Sequence, residues 1–276
     1  MNRPVAGVGG ADSIQQWYAD LPIITKILVT CTLLSGVVTS LGFMQPTAFL
    51  LDWYLVTKEF HIWRLFSSFV FAGGFGFPFV MHLYILYENS LRYERNPYNT
   101  GAGGTSADYL YMVVIGMVLI WSMDYFRPNG FNTQALLYFI MYLWSRKEPE
   151  AVLNIFGFKF QSVYLPWVYI AINLLMGGDI VLPLIGIVCG HLVFFAIEVM
   201  PGQSNISLVR TPQWCVKIIE MLTARTQPRA HPVASAGERR AWGANVAGAA
   251  PAVAPAPMPP QNRYNWGQGR VLGRAN

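Results

Sequence analysis

Six apolar runs punctuate the chain, at 22–43, 65–87, 109–126, 131–144, 163–176 and 180–200, separated by short stretches rich in charge, glycine and proline. Runs of about 17 to 25 apolar residues are what a helix needs to cross a bilayer. The pattern therefore predicts six transmembrane helices, with the last three boundaries the least sharply marked. Two runs are short. The fourth and fifth, 131–144 and 163–176, hold 14 residues each, roughly 21 Å of helix against a hydrocarbon core of about 30 Å. Such helices must thin the bilayer, snorkel Arg146 and Lys159, or stand behind other helices. Deliberate thinning would lower the barrier to polar chain crossing the membrane. The segment 45–64 is amphipathic and places Trp53, Tyr54 and Trp63 at headgroup level.

Composition agrees with a bilayer: 54% of residues are hydrophobic and 12% charged, with a net charge of +5. The first apolar run is too long for a cleavable signal core, and residues 1–20 carry Arg3 against Asp12 and Asp20, so the run is expected to stay as a span. Arg92, Arg95, Arg146, Lys147 and Lys159, with Arg210 and Lys217, fall on one side of a six-span topology, against Lys58, Arg64 and Arg127 on the other. That bias places both termini in the cytosol. Beyond Pro201, nine Lys or Arg face only Glu220 and Glu238, a balance suited to an anionic leaflet. The basic residues are too dispersed for a nucleic-acid module. With a cytosolic tail, the sequon Asn205-Ile-Ser207 is expected to stay unmodified. Cys31, Cys189 and Cys215 have no metal-ligand or disulfide spacing, and no cofactor motif is present.

Polar residues inside spans are costly and tend to face the bundle interior or water. They are Lys26, His82, Asn173, His191 and Glu198. Lys26 and Glu198 lie near span ends, within snorkelling reach. His82 and His191 suit interhelical hydrogen bonds better than acid–base work. Gly186 and Gly190, four apart and followed by His191, make a packing seam on one helical face. At the far end, 247–260 is nearly all Ala, Pro, Val and Gly, a composition that buries too little to fold. It leads to Tyr264-Asn-Trp-Gly-Gln-Gly-Arg-Val-Leu-Gly-Arg-Ala-Asn276. Trp266 and Leu272 supply two anchors and Gly267, Gly269 and Gly273 permit close backbone approach, so the terminus reads as a tethered docking peptide.

Trp63-Arg64, Glu88-Asn-Ser90, Ala107-Asp-Tyr-Leu-Tyr-Met112, Tyr164-Leu-Pro-Trp167 and the run Gly186 to His191, in that order between Trp17 and about Pro201, resemble the derlin family. That is a rhomboid-like set of endoplasmic reticulum proteins serving retrotranslocation of misfolded proteins for degradation. The stretch Trp266-Gly-Gln-Gly-Arg-Val-Leu-Gly273 looks like the SHP box with which several derlins recruit the valosin-containing-protein AAA ATPase. The resemblance implies an all-α polytopic membrane protein: a cytosolic segment 1–20, a rhomboid-like six-helix bundle over 21–200, and a largely disordered cytosolic tail over 201–276. It also implies misfolded substrates, ubiquitin-ligase complexes and other derlins as partners, and a role in substrate engagement for Trp63 and Arg64. The glycine-rich loop 93–106 departs from typical relatives.

Rhomboid proteases carry a nucleophilic serine in Gly-x-Ser-Gly at the start of the fourth span and a histidine three residues before the first glycine of the seam. Here the fourth span opens Phe131-Asn-Thr-Gln, Pro183 stands three before Gly186, and His191 lies on the wrong side of the seam. Ser145 and Ser162 do not restore the pair. A pseudoprotease is expected, either forming a passage or serving as an adaptor that only recruits the ATPase. A small-solute transporter is the rival from another class, although it leaves the tail unexplained.

Overall fold

The computed structural model describes residues 10–155, 157–201 and 209–226. The sequon and the docking residues Trp266, Gly267, Gly269, Leu272 and Gly273 lie outside them. Ten helices dominate: α1 (Gly10–Ala19), α2 (Ile23–Ser40), α3 (Trp53–Lys58), α4 (Trp63–Ser67), α5 (Phe77–Arg95), α6 (Ser106–Phe126), α7 (Thr133–Lys147), α8 (Leu165–Leu175), α9 (Val181–Phe194) and α10 (Gln213–Thr226). The last turn of α9 widens over Phe195–Val199. Among the described residues three helices, Ile23–Ser40, Ser106–Phe126 and Val181–Val199, are long and apolar enough to cross a membrane. The apolar pattern predicts no strand, but the described residues contain two. An antiparallel hairpin joins α7 to α8, with Val152 opposite Gln161 and Ile155 opposite Phe158.

The apolar run 65–87 is not one helix. It contains Gly73, at φ 100°, followed by Gly74, Gly76 and a proline at the first turn of α5. Proline starts a helix easily but cannot continue one, so the run divides into α4, an extended crossing and α5. The crossing lies over the start of α7, where Asn132 N donates to the Ser68 carbonyl and Thr133 Oγ1 sits 2.6 Å from the Phe71 carbonyl. At its other end α5 runs past Tyr87 to Arg95, because its last turns carry buried polar groups that meet partners. Glu94 accepts from Ile24 N, Thr25 N and Thr25 Oγ1 at 3.0, 2.6 and 2.7 Å. The N-terminus of α2 begins at a proline without a capping side chain, so Glu94 supplies from a neighbouring helix the acceptor that its free N–H groups require. Ser90 extends the network to Tyr109 at 2.7 Å.

The core is α7. Every residue from Ala135 to Ser145 is buried, which identifies an enclosed helix rather than a half-exposed one. It packs against α5, α6, α8 and above all α9. At 15 residues it is only about 22 Å long, but its shortness is enclosed by protein instead of being presented to lipid. By contrast α8, with 11 residues, keeps Trp167, Leu174 and Leu175 exposed.

Close approach of α9 to α7 rests on the two predicted seam glycines. A Cβ on Gly186 would overlap the Ala135 carbonyl oxygen and lie 2.9 Å from Tyr138 Cβ, whereas one on Gly190 would meet only the Tyr142 side chain, from 3.0 Å. The seam is therefore occupied within the chain.

The loop 97–105 has a defined architecture. Asn99 Oδ1 accepts from the backbone of Gly101 and Gly103. Buried Asp108, three residues after the Thr105 cap of α6, accepts from Ala102 N at 3.1 Å, Gly104 N at 2.7 Å and Thr100 Oγ1 at 2.9 Å. It also accepts from Thr211, just ahead of α10. Gly101, Gly103 and Gly104 have φ of 124°, 79° and 73°, the left-handed conformations that turn alternate amides toward Asn99 Oδ1 and the Asp108 carboxylate.

Unequal tolerance along the seam follows. Gly186→Ala is expected to cost about 2 to 3 kcal/mol by forcing two backbones apart, and Gly190→Ala about 1 kcal/mol, because a tyrosine ring can give way. Thermal unfolding of both variants in detergent checks the order; equal midpoints would refute it.

Candidate functional site

The residues singled out from sequence fall in three places. Arg64, near the start of α4, donates through Nη1 to the carbonyls of Thr47 and Leu50, at 2.9 and 2.8 Å. It fastens the amphipathic segment that leads from α2. Trp63 points elsewhere: it is 57% exposed, with its ring 4.4 Å from that of His61. Further ties fix the segment to α6, where Trp53 Nε1 donates to buried Asp124 at 3.0 Å and Trp121 Nε1 donates to the Leu65 carbonyl at 3.1 Å. Gly186 and Gly190 lie in the α7–α9 seam. His191, on the outer side of α9, has Nδ1 2.7 Å from the Tyr142 hydroxyl. Ser145 and Ser162 both donate to backbone carbonyls, of Tyr142 and Glu148. Among the described residues neither serine is joined to a histidine.

Two other polar residues predicted inside spans, His82 and Asn173, do come together. Both α5 and α8 pack on α7, leaving a groove between them. It holds a cavity of about 470 Å³ toward the α3 end and a second of about 220 Å³ toward the α10 end, with Met81 and Tyr169 lining both. The first is largely apolar, with polar groups where α7 and α8 meet it. Gln134 Nε2 donates to Asn173 Oδ1 at 2.8 Å, and Asn173 Nδ2 donates to the Asp179 carbonyl at 2.7 Å. His82 Nε2 is buried without a partner, an unmet polar group that favours a hydrogen-bonding occupant or water. In the second cavity, Arg92 pairs with Glu88 at 2.7 Å, and buried Asn89 Oδ1 has no partner. The groove thus offers apolar walls with hydrogen-bonding groups at intervals, the chemistry required by an extended polypeptide, whose backbone carries a donor and an acceptor at almost every residue.

The cavity nearest α10 is bounded by Leu153 and Asn154 of the hairpin, and a polar cluster lies outside its lining, where the end of α7 meets the loop after α5. Lys147 Nζ donates to Asn96 Oδ1 at 3.0 Å and to the Pro97 carbonyl, and lies 5.3 Å from the centre of the Tyr98 ring. Desolvation, reinforced by the charge of Glu198, pushes the Tyr98 hydroxyl above its ordinary value.

Sequence reasoning did not place Gln134, Glu88, Asn89 or Arg92 in a site. A signal was present: the lining residues of α5 are Pro78, Met81, His82, Tyr84, Ile85, Glu88, Asn89 and Arg92, a stripe at the spacing of one helical face. Ending the predicted span at Tyr87 cut that stripe in half.

A family profile described as the Der1-like family matches residues 21–213. The chain is 34% identical over 236 residues to Derlin-1 of Arabidopsis thaliana, covering 84% of this chain and 85% of that protein. It is 32% identical over 218 residues to the probable derlin-2 homolog of Dictyostelium discoideum, covering 76% and 84%. To Derlin-2.2 of Arabidopsis thaliana it is 30% identical over 216 residues, covering 74% and 87%.

The different contacts of the adjacent pair Trp63 and Arg64 are separable by stability. Arg64→Ala, which strands two carbonyls, is expected to cost about 2 kcal/mol, and Trp63→Ala under about 0.5 kcal/mol. Comparable unfolding midpoints for the two variants would overturn this division.

Proposed function

We propose, from the premise that the chain belongs to the Der1-like family, that it serves endoplasmic-reticulum-associated degradation by passing misfolded polypeptide across the membrane along the α5–α8 groove. In this reading α2, α5, α6, α7, α8 and α9 are the six spans and both termini face the cytosol. α5 falls outside the length and apolarity met by α2, α6 and α9 because it carries the polar groove residues, and α7 and α8 because they hold only 15 and 11 residues. The observation that carries the proposal is the groove itself: a lateral opening between two helices admits a chain from the side, with polar groups at several levels to replace part of its hydration. Short, partly exposed α8 forms one wall, so the mismatch to a bilayer of normal thickness falls beside the opening. There local thinning reduces the distance that polar chain must travel through hydrocarbon.

The pull is assigned to the valosin-containing-protein AAA ATPase, held by Trp266 to Gly273 outside the described residues. Ubiquitin-ligase complexes and other derlins complete the machine in this proposal. The chain is a pseudoprotease, in keeping with the missing Gly-x-Ser-Gly element and with Pro183 at the expected histidine position. A central solute pore is disfavoured because α7 fills the axis that such a pore needs.

Two variants separate a passage from an adaptor. Met81→Trp fills the junction of the two cavities and is expected to reduce substrate clearance and substrate crosslinking within the groove about tenfold while ATPase pull-down stays unchanged. The double change Trp266→Ala with Leu272→Ala is expected to abolish pull-down, since buried apolar anchors of this kind each contribute about 2 kcal/mol or more, while crosslinking in the groove persists. Normal clearance by well-folded Met81→Trp protein would leave only the adaptor role; normal pull-down by the double variant would remove the docking peptide.

A further inference from the structure

The outward face of α9 is built from Leu184, Val188, Leu192 and Phe195, exposed apolar side chains at helical spacing. His191 interrupts this lipid-compatible stripe and is itself exposed. Beside it, in the last turns of α7, stand buried Tyr142 and exposed Arg146. The Tyr142 hydroxyl accepts from Arg146 Nε at 3.0 Å and lies 2.7 Å from His191 Nδ1. The guanidinium also rests 5.2 Å from the centre of the Tyr142 ring.

The proton inventory of these three side chains determines what they present outward. A phenol has one proton and two lone pairs, and arginine can only donate. One lone pair of Tyr142 is taken by Arg146, and the phenolic proton, buried with its residue, finds its acceptor in His191 Nδ1. Neutral His191 must then carry its own proton on Nε2, the ring nitrogen not used by Tyr142. Arg146 retains the N–H groups of both terminal nitrogens. The cluster therefore presents donors and a fixed positive charge, without an acceptor. Among the described residues no carboxylate forms an ion pair with Arg146: the ion pairs are Glu59 with His61 and Glu88 with Arg92, Glu148 accepts from Asn96, and Glu148, Glu198 and Arg146 all act on Tyr98 with no bridge between them.

We propose that Arg146 and His191 bind the phosphate of a phospholipid headgroup, with Tyr142 as the positioning residue that orients both. Arginine suits a phosphate through paired N–H groups, and the imidazole adds a third donor. A lipid is favoured over a free anion by what continues from the cluster: Val188 and Leu184 extend the exposed stripe along α9 toward its start, as a track for acyl chain. Arg146 is one residue from the end of α7, where a short helix brings its terminus to headgroup level. The site lies on the α7–α9 flank, apart from the groove, and does not depend on the passage reading.

Native mass spectrometry of the full chain in detergent, titrated with phosphatidic acid or with diacylglycerol, tests the assignment. Phosphatidic acid is expected to be retained, diacylglycerol not, and excess inorganic phosphate is expected to leave the bound lipid in place. Arg146→Gln and His191→Leu should each weaken retention about tenfold, as loss of a charged or well-oriented hydrogen bond does. Lys217→Gln, which removes the same charge from an exposed site on α10, should leave it unchanged. Tyr142→Phe keeps the ring but frees His191 Nδ1, so nitrogen NMR of the imidazole should pass from the single Nε2–H tautomer to a mixture, with a smaller loss of lipid. Undiminished retention by folded Arg146 and His191 variants, equal loss with Lys217→Gln, or displacement by inorganic phosphate would overturn the site. Should the first two variants fail to fold, an unchanged imidazole spectrum in Tyr142→Phe would do so.

Discussion

Enclosure of α7 on every side is the constraint on which the rest of the molecule depends. A fully buried helix needs neighbours all round, and each must come close enough to exclude voids. On one flank α9 does so through Gly186, which meets the backbone of Ala135, and Gly190, which meets the Tyr142 side chain. The α6 contact uses the same device, with Gly116 lying against the Phe139 ring. With no hydrophobic drive between helices in lipid, such close fits are a principal source of cohesion. On the other flank α5 and α8 rest on α7 with larger side chains between them, so the circle is left incomplete there. The groove is thus a consequence of how α7 is covered, tight where glycines line the contact and hollow where Met81, Tyr138 and Tyr169 do.

Buried carboxylates determine how the ends of this bundle are held. Glu94 caps α2 from α5, Asp108 gathers the loop 97–105 and Thr211, and Asp124 accepts from both Trp53 and the backbone of Asn129. Each is buried, and each collects several N–H or O–H donors. A buried carboxylate without such partners would be strongly destabilising, whereas a surrounded one fixes the geometry of whatever surrounds it. Two of the three sit at the α10 end and organise the start of α2, the loop 97–105 and the residue leading into α10. The third anchors the amphipathic segment at the α3 end, where Arg64 adds its own ties to backbone carbonyls. The central part of the groove has no equivalent anchor, and there His82 and Asn89 keep unmet polar atoms.

Apolar periodicity located α2, α6, α7, α8 and α9 to within a few residues, because each apolar run is bounded by charged residues, glycine or proline. It misplaced α5, since Gly73, Gly74 and Pro78 fall inside an apolar run while Glu88 to Arg95 belong to the helix despite their polarity. Those polar residues are helical for tertiary reasons: Ser90 and Glu94 have partners on α2 and α6 that no local pattern reveals. The hairpin was missed because Val152 to Gln161 is too short and mixed to stand out, and its register depends on a turn at Gly157, with φ 87°. The glycine seam was legible from spacing alone. Its partner helix was not, since a small-residue stripe marks where something approaches without identifying it.

Polar satisfaction also explains why the two flanks of α7 suit different work. In a bilayer an unpaired donor or acceptor has no bulk water to turn to. Polar side chains at membrane depth are therefore either matched within the protein or left facing something that can match them. On the α9 flank the phenol of Tyr142 satisfies one side of His191 and of Arg146, so only their outward donors remain and the backbone seam beneath them is closed. On the α5–α8 flank His82 and Asn89 keep unmet atoms beside cavities large enough for several waters or a segment of chain. Rearranging the first flank requires separating two backbones in contact, whereas widening the second only requires side chains to move across an existing void. The fold therefore concentrates its rigidity on one side of α7 and its capacity to admit a guest on the other.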